Sequence, residues 1–461
     1  MNPKNIRLLL LITWEYFKRK KVWIIASFAG LLFFIFLQNQ FHLLSDTKTI
    51  KIGLVGTYQE HDLPVEITKL LSQGLVEATE SGQIKPLLTK GWETNNDATQ
   101  FKFKLKDNLK WADNSSIKVS DINLVIPNTT VSYPNDQTVQ FNLKESYSPL
   151  PSLLIKPIFK KGTILLGTGP YKVAKVEKSM VFITKMVLQP NTPKLPVIQM
   201  RFYPNEKVAV TGFNLGEVQV LIGPGSLDPF SSNPKVKVKT ETDYSKIVTI
   251  LFRTTDKLLS SRSLRQALSY QTPEIPGEEV ANNPYPPKFW TYNKEAKKYL
   301  SNSKEAKEAL ERAKSSVSED KLTSELILTS TPNLSEVGKA VVKAWKELGF
   351  DSKLRVESGI PQNFQALLIT QSIPQDPDQY FLWHATQTKT NLTKYDSKRV
   401  DKDLEDGRKL IPGQERRTKY FDFQKSLLED APAVFLYFPK YKIVYLKKVE
   451  SLLDEVLKQY N

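Results

Sequence analysis

The alternation of apolar and charged positions changes character twice along this chain. From Val22 to Leu44 no residue is charged, and Val22–Leu37 (VWIIASFAGLLFFIFL) is almost wholly apolar. About 20 apolar residues in a helix cross a hydrocarbon core, so this run predicts one spanning segment. Lys18, Arg19, Lys20 and Lys21 precede it and no acidic residue follows until Asp46, which puts residues 1–21 in the cytoplasm and the rest outside. A cleaved signal peptide is the other reading, but its apolar region is roughly 7–15 residues long and ends at a small-x-small site. Here Gln38-Asn39-Gln40-Phe41 follows instead. An uncleaved anchor over 22–44 is therefore the expectation.

Beyond a polar linker, Ile50–Val55 reads as a strand. Pro64 then opens a helix whose apolar positions are Ile67, Leu70, Leu71 and Leu75. Phe101, Phe103 and Leu105 alternate with Lys102, Lys104 and Lys106, the pattern of a strand with one wet face. Val139, Phe141 and Leu143 repeat it after a Pro134-Asn135-Asp136 turn, and short strands with Pro/Gly turns continue over 164–255. From about residue 256 helices dominate: Lys294–Lys314, Ser335–Leu348 ending at Gly349, and Gln414–Leu428 ending at Pro432. Strand candidates lie between them at Glu325–Leu328, Lys353–Val356 and Ala366–Ile369, and Val434–Leu446 returns to strands. The order predicts a mixed α/β body of two lobes joined by two crossings.

Composition narrows the chemistry. The 461 residues include no Cys and three His, which excludes disulfides, thiolate metal sites, a cysteine nucleophile and a lipid anchor on cysteine. A multi-histidine metal centre is nearly excluded as well, and no cofactor is expected. Of the formal net charge of +16, +5 lies in residues 1–21, leaving +11 (16 less 5) spread over the outer body, mostly as Lys on helix faces. No arginine-rich run interleaves with aromatics, so a solvated surface near an anionic membrane explains the charge and nucleic acid is not an expected partner.

Enzyme motifs are missing. Gly167-Thr168-Gly169-Pro170-Tyr171 precedes a strand instead of a helix, so it reads as a turn, not a dinucleotide loop. Gly223-Pro224-Gly225-Ser226 lacks the following glycine of a nucleophile elbow. Asp376 and Asp378 flank Pro377 and read as a turn or cap, and His384 as a wall or core residue. Aromatic residues in or near loops (Tyr58, Trp92, Trp111, Tyr380, Trp383, Tyr395) are the better pointer, because ligand clefts are commonly aromatic. Ordinary core packing is the competing explanation for each.

Three stretches together resemble a known family. Leu71–Asp121 carries a helix end, Gly74-Leu75-Val76, Pro86-Leu87-Leu88, Trp92 and Lys110-Trp111-x-Asp113; Gly167–Tyr171 is GTGPY; Asp376–Pro432 begins DPD and continues to an Arg-x-x-Tyr helix ending in Ala431-Pro432. The chain is similar, over about Thr49 to Leu446, to the extracytoplasmic solute-binding proteins of ABC importers, family 5, which includes oligopeptide-, dipeptide- and nickel-binding proteins. The resemblance implies an α/β, two-lobed periplasmic-binding-protein (flytrap) fold behind an N-terminal transmembrane helix. By that analogy 45–256 is lobe I with a subdomain near 76–155, 257–434 is lobe II, and 435–461 returns to lobe I.

Function follows the same analogy: capture of a peptide-like solute between hinged lobes and delivery to ABC permease subunits, without enzymatic activity. The cleft residues implied are Tyr58, Gln73, Trp111, Ile373, Tyr380, Trp383 and Asn391. Two of these are departures. The aspartate that grips a peptide ammonium in relatives is Ile373 here, and an acidic position near the first helix is Gln73. The segments 122–131 and 271–277 are also shortened. An interaction or structural module that kept the fold without transport is the alternative; an ectoenzyme has no supporting constellation.

Overall fold

The computed structural model describes residues 48–163, 165–230, 233–315, 317–318 and 322–460. The expected anchor, 22–44, lies outside the described residues. Among those described, no helix is long and apolar enough to cross a membrane.

Strand Thr49–Val55 buries Ile50, Ile52 and Leu54 and lies inside a seven-stranded sheet. It runs parallel to Val197–Tyr203 on one side and to Val220–Ile222 on the other. Helix Glu206–Asn214 connects Val197–Tyr203 to Val220–Ile222, the parallel strands on either side of Thr49–Val55, and is started by the Asn205 side chain accepting from Val208 N at 3.0 Å. Hairpin Tyr171–Ser179/Phe182–Pro190 extends one side of this first sheet, and Lys440–Leu446 with Val236–Thr242 the other.

Inserted into this lobe is a subdomain with a four-stranded antiparallel sheet in the order Thr89–Thr94, Gln100–Leu105, Thr138–Leu143, Thr129–Asn135. The alternation read from the sequence holds: Phe101, Phe103 and Leu105 are buried while Lys102, Lys104 and Lys106 are exposed. Phe101 sits opposite Phe141, and Phe103 opposite Val139. No helix occupies 122–131, where a 3-10 turn at Val119–Asp121 leads to the strand.

The second sheet has six strands in the order Glu279–Val280, Ala433–Phe438, Lys246–Phe252, Ala366–Ser372, Leu326–Ser330, Ser352–Val356. Val248, Ile250 and Phe252 face a core with helices Arg262–Gln271, Ser303–Lys314 and Ser335–Glu347, while Ile247 and Leu251 face helices Lys398–Lys409 and Gln414–Asp430. Covering on both faces explains why Lys246–Phe252 and Ala433–Phe438 read as apolar runs without alternation.

These memberships correct three expectations. By position Lys246–Phe252 belongs to lobe I, yet it is paired on both sides inside the second sheet. Val434–Leu446 is divided at Pro439, with Ala433–Phe438 in the second sheet and Lys440–Leu446 in the first. The lobes therefore meet at residues 243–245 and at Pro439, where Asp243 N donates to Pro439 O at 2.8 Å. Finally, the helix predicted over Lys294–Lys314 begins only at Ser303, because the Asn302 side chain caps the backbone N–H groups of Lys304 and Glu305.

Candidate functional site

The motifs of the first half converge on one junction. Helix Val65–Leu71 ends at Ser72, whose hydroxyl donates to Ile158 O and accepts from Thr168 N at 3.2 Å. Gln73 N donates to Thr168 Oγ1 at 3.2 Å, and Gln73 O accepts from Ile158 N at 2.9 Å. Gly169 N donates to Leu71 O and Ala112 N to Gly167 O, each at 2.9 Å. At Gly167 and Gly169 a Cβ would overlap the backbone of Leu71 and Leu70, so these positions permit the approach because they carry no side chain. GTGPY thus joins the subdomain to lobe I.

In the second half, the Asp-Pro-Asp segment is a turn, as its sequence predicts. Asp376 Oδ1 accepts from Asp378 N at 2.9 Å, and Asp378 Oδ1 accepts from Tyr380 N at 3.1 Å. Each carboxylate also has an arginine. Arg416 bonds Asp376 through both terminal nitrogens, at 3.0 and 2.6 Å, and donates Nε–H to Gly407 O at 2.8 Å. Arg408 reaches Asp378 at 3.1 Å. Burial pulls the Arg416 guanidinium down, but Asp376 and Tyr420 outweigh it and hold it above its ordinary value. Burial pushes the Asp378 carboxyl up, against the pull of Arg408.

Around this segment the subdomain touches the second lobe. Trp290 N donates to Ser81 O and Ser148 N to Arg408 O, each at 2.8 Å. Lys288 pairs with Glu80 at 2.8 Å, and Phe289 lies against Gly82. The Arg408 guanidinium is 5.1 Å from the Tyr147 ring and 4.1 Å from the Tyr380 ring, so it bridges both sides. Along this seam lies a cavity of about 490 Å³. Gly82–Lys85, Trp92 and Ser148 form its subdomain wall, and Trp290, Asp376, Ile411–Gln414 and Arg416–Arg417 form its lobe II wall. A volume of this size suits a small organic ligand.

Residues 83–392, more than half of the chain, match the family described as bacterial extracellular solute-binding proteins, family 5 Middle. The chain belongs to that family. The probable D,D-dipeptide-binding periplasmic protein DdpA of Escherichia coli (strain K12) is 21% identical over 431 residues, covering 79% of this chain and 81% of its own. The ABC transporter substrate-binding protein CtaP of Listeria monocytogenes superposes with a TM-score of 0.73 at 18% identity, covering 87% of this chain and 94% of its own. NikZ of Campylobacter jejuni, in complex with Ni(L-His), superposes with a TM-score of 0.67 at 20% identity, with the same shares. The fold is the two-lobed α/β periplasmic-binding-protein fold.

In this family 5 protein the seven residues implied by the resemblance are not gathered into one wall. Trp111 is 1% exposed in the subdomain core, and Ile373 and Trp383 are buried in a lobe II core. Asn391 is buried too, and its amide holds a loop by donating to Trp383 O at 3.2 Å and Tyr395 O at 2.8 Å. Those four are buried among protein atoms in this structure. Tyr58, Gln73 and Tyr380 stay partly accessible. Tyr58 donates to Val55 O at 3.0 Å and meets Phe202 edge-on, while Tyr380 stacks on His384 at 4.0 Å. His384 is buried between Thr386 and Glu405, the core role expected of it.

None of the seven lines the seam cavity; of the loop aromatics, Trp92 does. Sequence reasoning misses Arg408, Arg416, Ser148 and Trp290 as site residues. The Arg-x-x-Tyr pattern is visible at Arg417–Tyr420 and Arg416 immediately precedes it, but nothing local tells an interior arginine from a surface one.

One buried acid carries a pH signature. Asp403, on helix Lys398–Lys409, has an Oδ2 with no partner among the described residues. Burial first, then Asp422, pushes its carboxyl from 3.8 to about 6, against Lys419 and Arg399. A raised folded-state value means the folded chain binds a proton that the unfolded chain does not between about pH 4 and 6, so this contribution to stability is present below that window and lost as pH rises through it. Asp403→Asn is expected to stabilise the protein at pH 7.5 by about 1 kcal/mol, after discounting the shift for solvent screening. Denaturant titrations of both forms at pH 4.5 and 7.5 check this; equal differences at the two pH values would remove Asp403 as the source.

Proposed function

We propose that this family 5 protein captures a peptide-like solute between its two lobes and hands it to an ABC permease on the outer face of a membrane. The observation that carries the reading is the cavity at the seam, walled from both sides, in a chain whose lobes are joined, among the described residues, at two adjacent crossings, 243–245 and Pro439. A ligand touching both walls favours the closed arrangement by the difference between its affinities for the closed and open states. The uncharged run 22–44 with its basic flank supports an anchor with a cytoplasmic N-terminus and an extracytoplasmic body. Such an anchor keeps the binder near its permease at high effective concentration.

Solute class is framed by the relatives. DdpA is named for D,D-dipeptides and NikZ was solved with Ni(L-His), so dipeptides, longer peptides and small amino-acid complexes are the classes to test. Ile373 is apolar and buried, and Asp376 and Asp378 are engaged by arginines, so these positions offer no free carboxylate for a peptide ammonium. That same observation favours the second reading, an interaction module without transport.

Thermal unfolding of the full chain with a mixed peptide pool, and with nickel plus histidine, separates the two readings. A ligand at one hundred times its Kd stabilises by about 2.7 kcal/mol, so a clear rise in melting temperature is expected with one of the pools. No rise with either pool would sink capture as stated.

A further inference from the structure

The sheet of the first lobe carries a row of lysines at one end. Strands Thr49–Val55, Val197–Tyr203, Val220–Ile222 and Val236–Thr242 all start at this end, and Lys440–Leu446 finishes there. Lys48 precedes the first of these strands, Lys194 lies in the turn before the second, Lys235 precedes the fourth, and Lys447 and Lys448 follow the last. Backbone bonds fix the row: Val197 N donates to Lys48 O at 2.8 Å, Lys447 N to Lys235 O at 2.9 Å, and Leu446 N to Gln219 O at 3.0 Å. Four strand spacings separate Val236–Thr242 from Val197–Tyr203. At about 4.8 Å each the row is roughly 19 Å long, a line of charge and not a pocket.

All five lysines are exposed, and among the described residues none makes an ion pair. Two carboxylates at this end are already matched, Glu450 by Lys237 at 2.8 Å and Glu217 by Arg201 at 3.3 Å. Asp454 is a turn further along helix Glu450–Leu457, and Asp46 lies in the preceding linker. The opposite end of the sheet is different. There Lys178 pairs with Glu60 at 2.8 Å and Lys239 with Glu241 at 2.9 Å, and Asp62 and Glu66 are exposed alongside Lys207. The chain outside the described residues supplies the second observation. The uncharged run ends at Leu44, and only residues 45–47 separate it from Lys48. Extended chain covers at most about 3.6 Å per residue, so Lys48 stands within roughly 14 Å of the end of that run.

We propose that this end of the first lobe docks on the anionic headgroups of a lipid surface, with Lys48, Lys194, Lys235, Lys447 and Lys448 as the contact row. The inference rests on the anchor proposed above and goes beyond it, because an anchor alone holds the body near the membrane without setting which side faces it. A basic row is attracted to anionic lipid over about a Debye length, 8–10 Å at physiological salt, and the short linker keeps the row close to that range. Docking there turns the opposite end of the sheet, with the Ser179–Phe182 turn, away from the lipid. The lobe crossings at 243–245 and Pro439 lie toward that far end, so the docked body presents its seam away from the surface.

The absence of cysteine makes site-specific labelling direct. The full chain is reconstituted into vesicles of phosphatidylglycerol with phosphatidylcholine, or of phosphatidylcholine alone, each carrying a nitroxide-headgroup lipid as quencher. A fluorophore is placed at Thr192→Cys, exposed in the same turn as Lys194, or at Val181→Cys, 57% exposed at the far end of the sheet. The label at 192 is expected to lose most of its emission in the phosphatidylglycerol vesicles and little in phosphatidylcholine, while the label at 181 keeps its emission in both. Raising salt from about 0.1 M to 1 M shortens the Debye length from about 10 to 3 Å and is expected to restore the emission at 192. Each lysine removed lowers the ratio of docked to free body by about fivefold. Lys194→Gln with Lys447→Gln and Lys448→Gln is therefore expected to restore it too, without lowering the melting temperature.

Full emission at 192 on phosphatidylglycerol, equal quenching in the two lipids, or equal quenching at 181 and 192 would overturn the docking face. So would quenching that survives both high salt and the triple lysine change. A label at 192 that stays bright on vesicles but is shielded in native membranes would assign the row to an acidic protein, and lipid docking falls. An alkaline carbonate wash of the same vesicles tests the anchor separately. If the chain resists the wash while the label at 192 stays bright, docking falls and the anchor stands. If the wash strips the chain but the label at 192 was quenched beforehand with the expected lipid and salt dependence, the anchor falls and docking stands.

Discussion

Arg416→Met is expected to cost about 3–5 kcal/mol of folding stability, the range for breaking a buried ion pair from one side. Arg416 is 1% exposed and bonds both oxygens of Asp376, itself 7% exposed. Removing the guanidinium leaves that carboxylate in the interior with the Asp378 N–H as its remaining hydrogen-bond donor among the described residues. It also frees Gly407 O and removes the cation that lies over the Tyr420 ring at 5.3 Å. The penalty belongs mainly to the stranded charge, so the double change Asp376→Asn with Arg416→Met should recover part of the loss. Denaturant unfolding of the single and double variants measures both numbers. A loss below about 1 kcal/mol for the single change would show that the pair is not desolvated as the geometry requires.

Gly169→Ala is expected to be nearly as costly, at about 3 kcal/mol or more, through steric overlap and not through charge. Its Cβ would meet the Leu70 carbonyl oxygen, the Leu71 carbonyl carbon and Ser72 N, all backbone atoms of the helix end on which the subdomain junction is built. Backbone cannot rotate aside as a side chain can, so either the helix end or the strand entry at Tyr171 must shift. Gly216→Ala is the contrasting control for crowding. That glycine has a positive φ of 76° but nothing within 4 Å of a Cβ, so its penalty is limited to backbone strain of about 1 kcal/mol. Melting temperatures of the two variants provide the comparison, and a smaller drop for Gly169→Ala than for Gly216→Ala would contradict the close approach.

The elements whose cause is local are readable along the chain. Helix Ser335–Glu347 ends where Gly349 predicts, and strand Gln100–Leu105 buries every second residue as its Phe/Lys alternation requires. The turn at Asp376-Pro377-Asp378 follows from side chains that accept from backbone two residues on. Site residues are less legible. Trp111 and Trp383 have the composition of a cleft wall, but an aromatic ring in a core and one at a ligand are the same residue until its neighbours are known. Arg416 is hidden for the complementary reason, since an arginine in a charged helix reads as surface unless its partner, 40 residues earlier, is placed beside it.

By itself the sequence determined the uncharged run, the two changes of periodicity, and motifs sufficient to resemble family 5. It could do so because hydrophobic spacing, turn chemistry and close-packed glycines act over a few residues. Only the tertiary structure decided which sheet owned each apolar strand. Lys246–Phe252 follows the first lobe directly in sequence, yet pairs with Ala366–Ser372 and Ala433–Phe438 more than one hundred residues away. A strand buried on both faces has no alternation to declare a side, so its place is set by long-range pairing and the cores that cover it. The seam cavity arises in the same way. Its walls come from residues 82–152 and 290–417, which only the fold brings together.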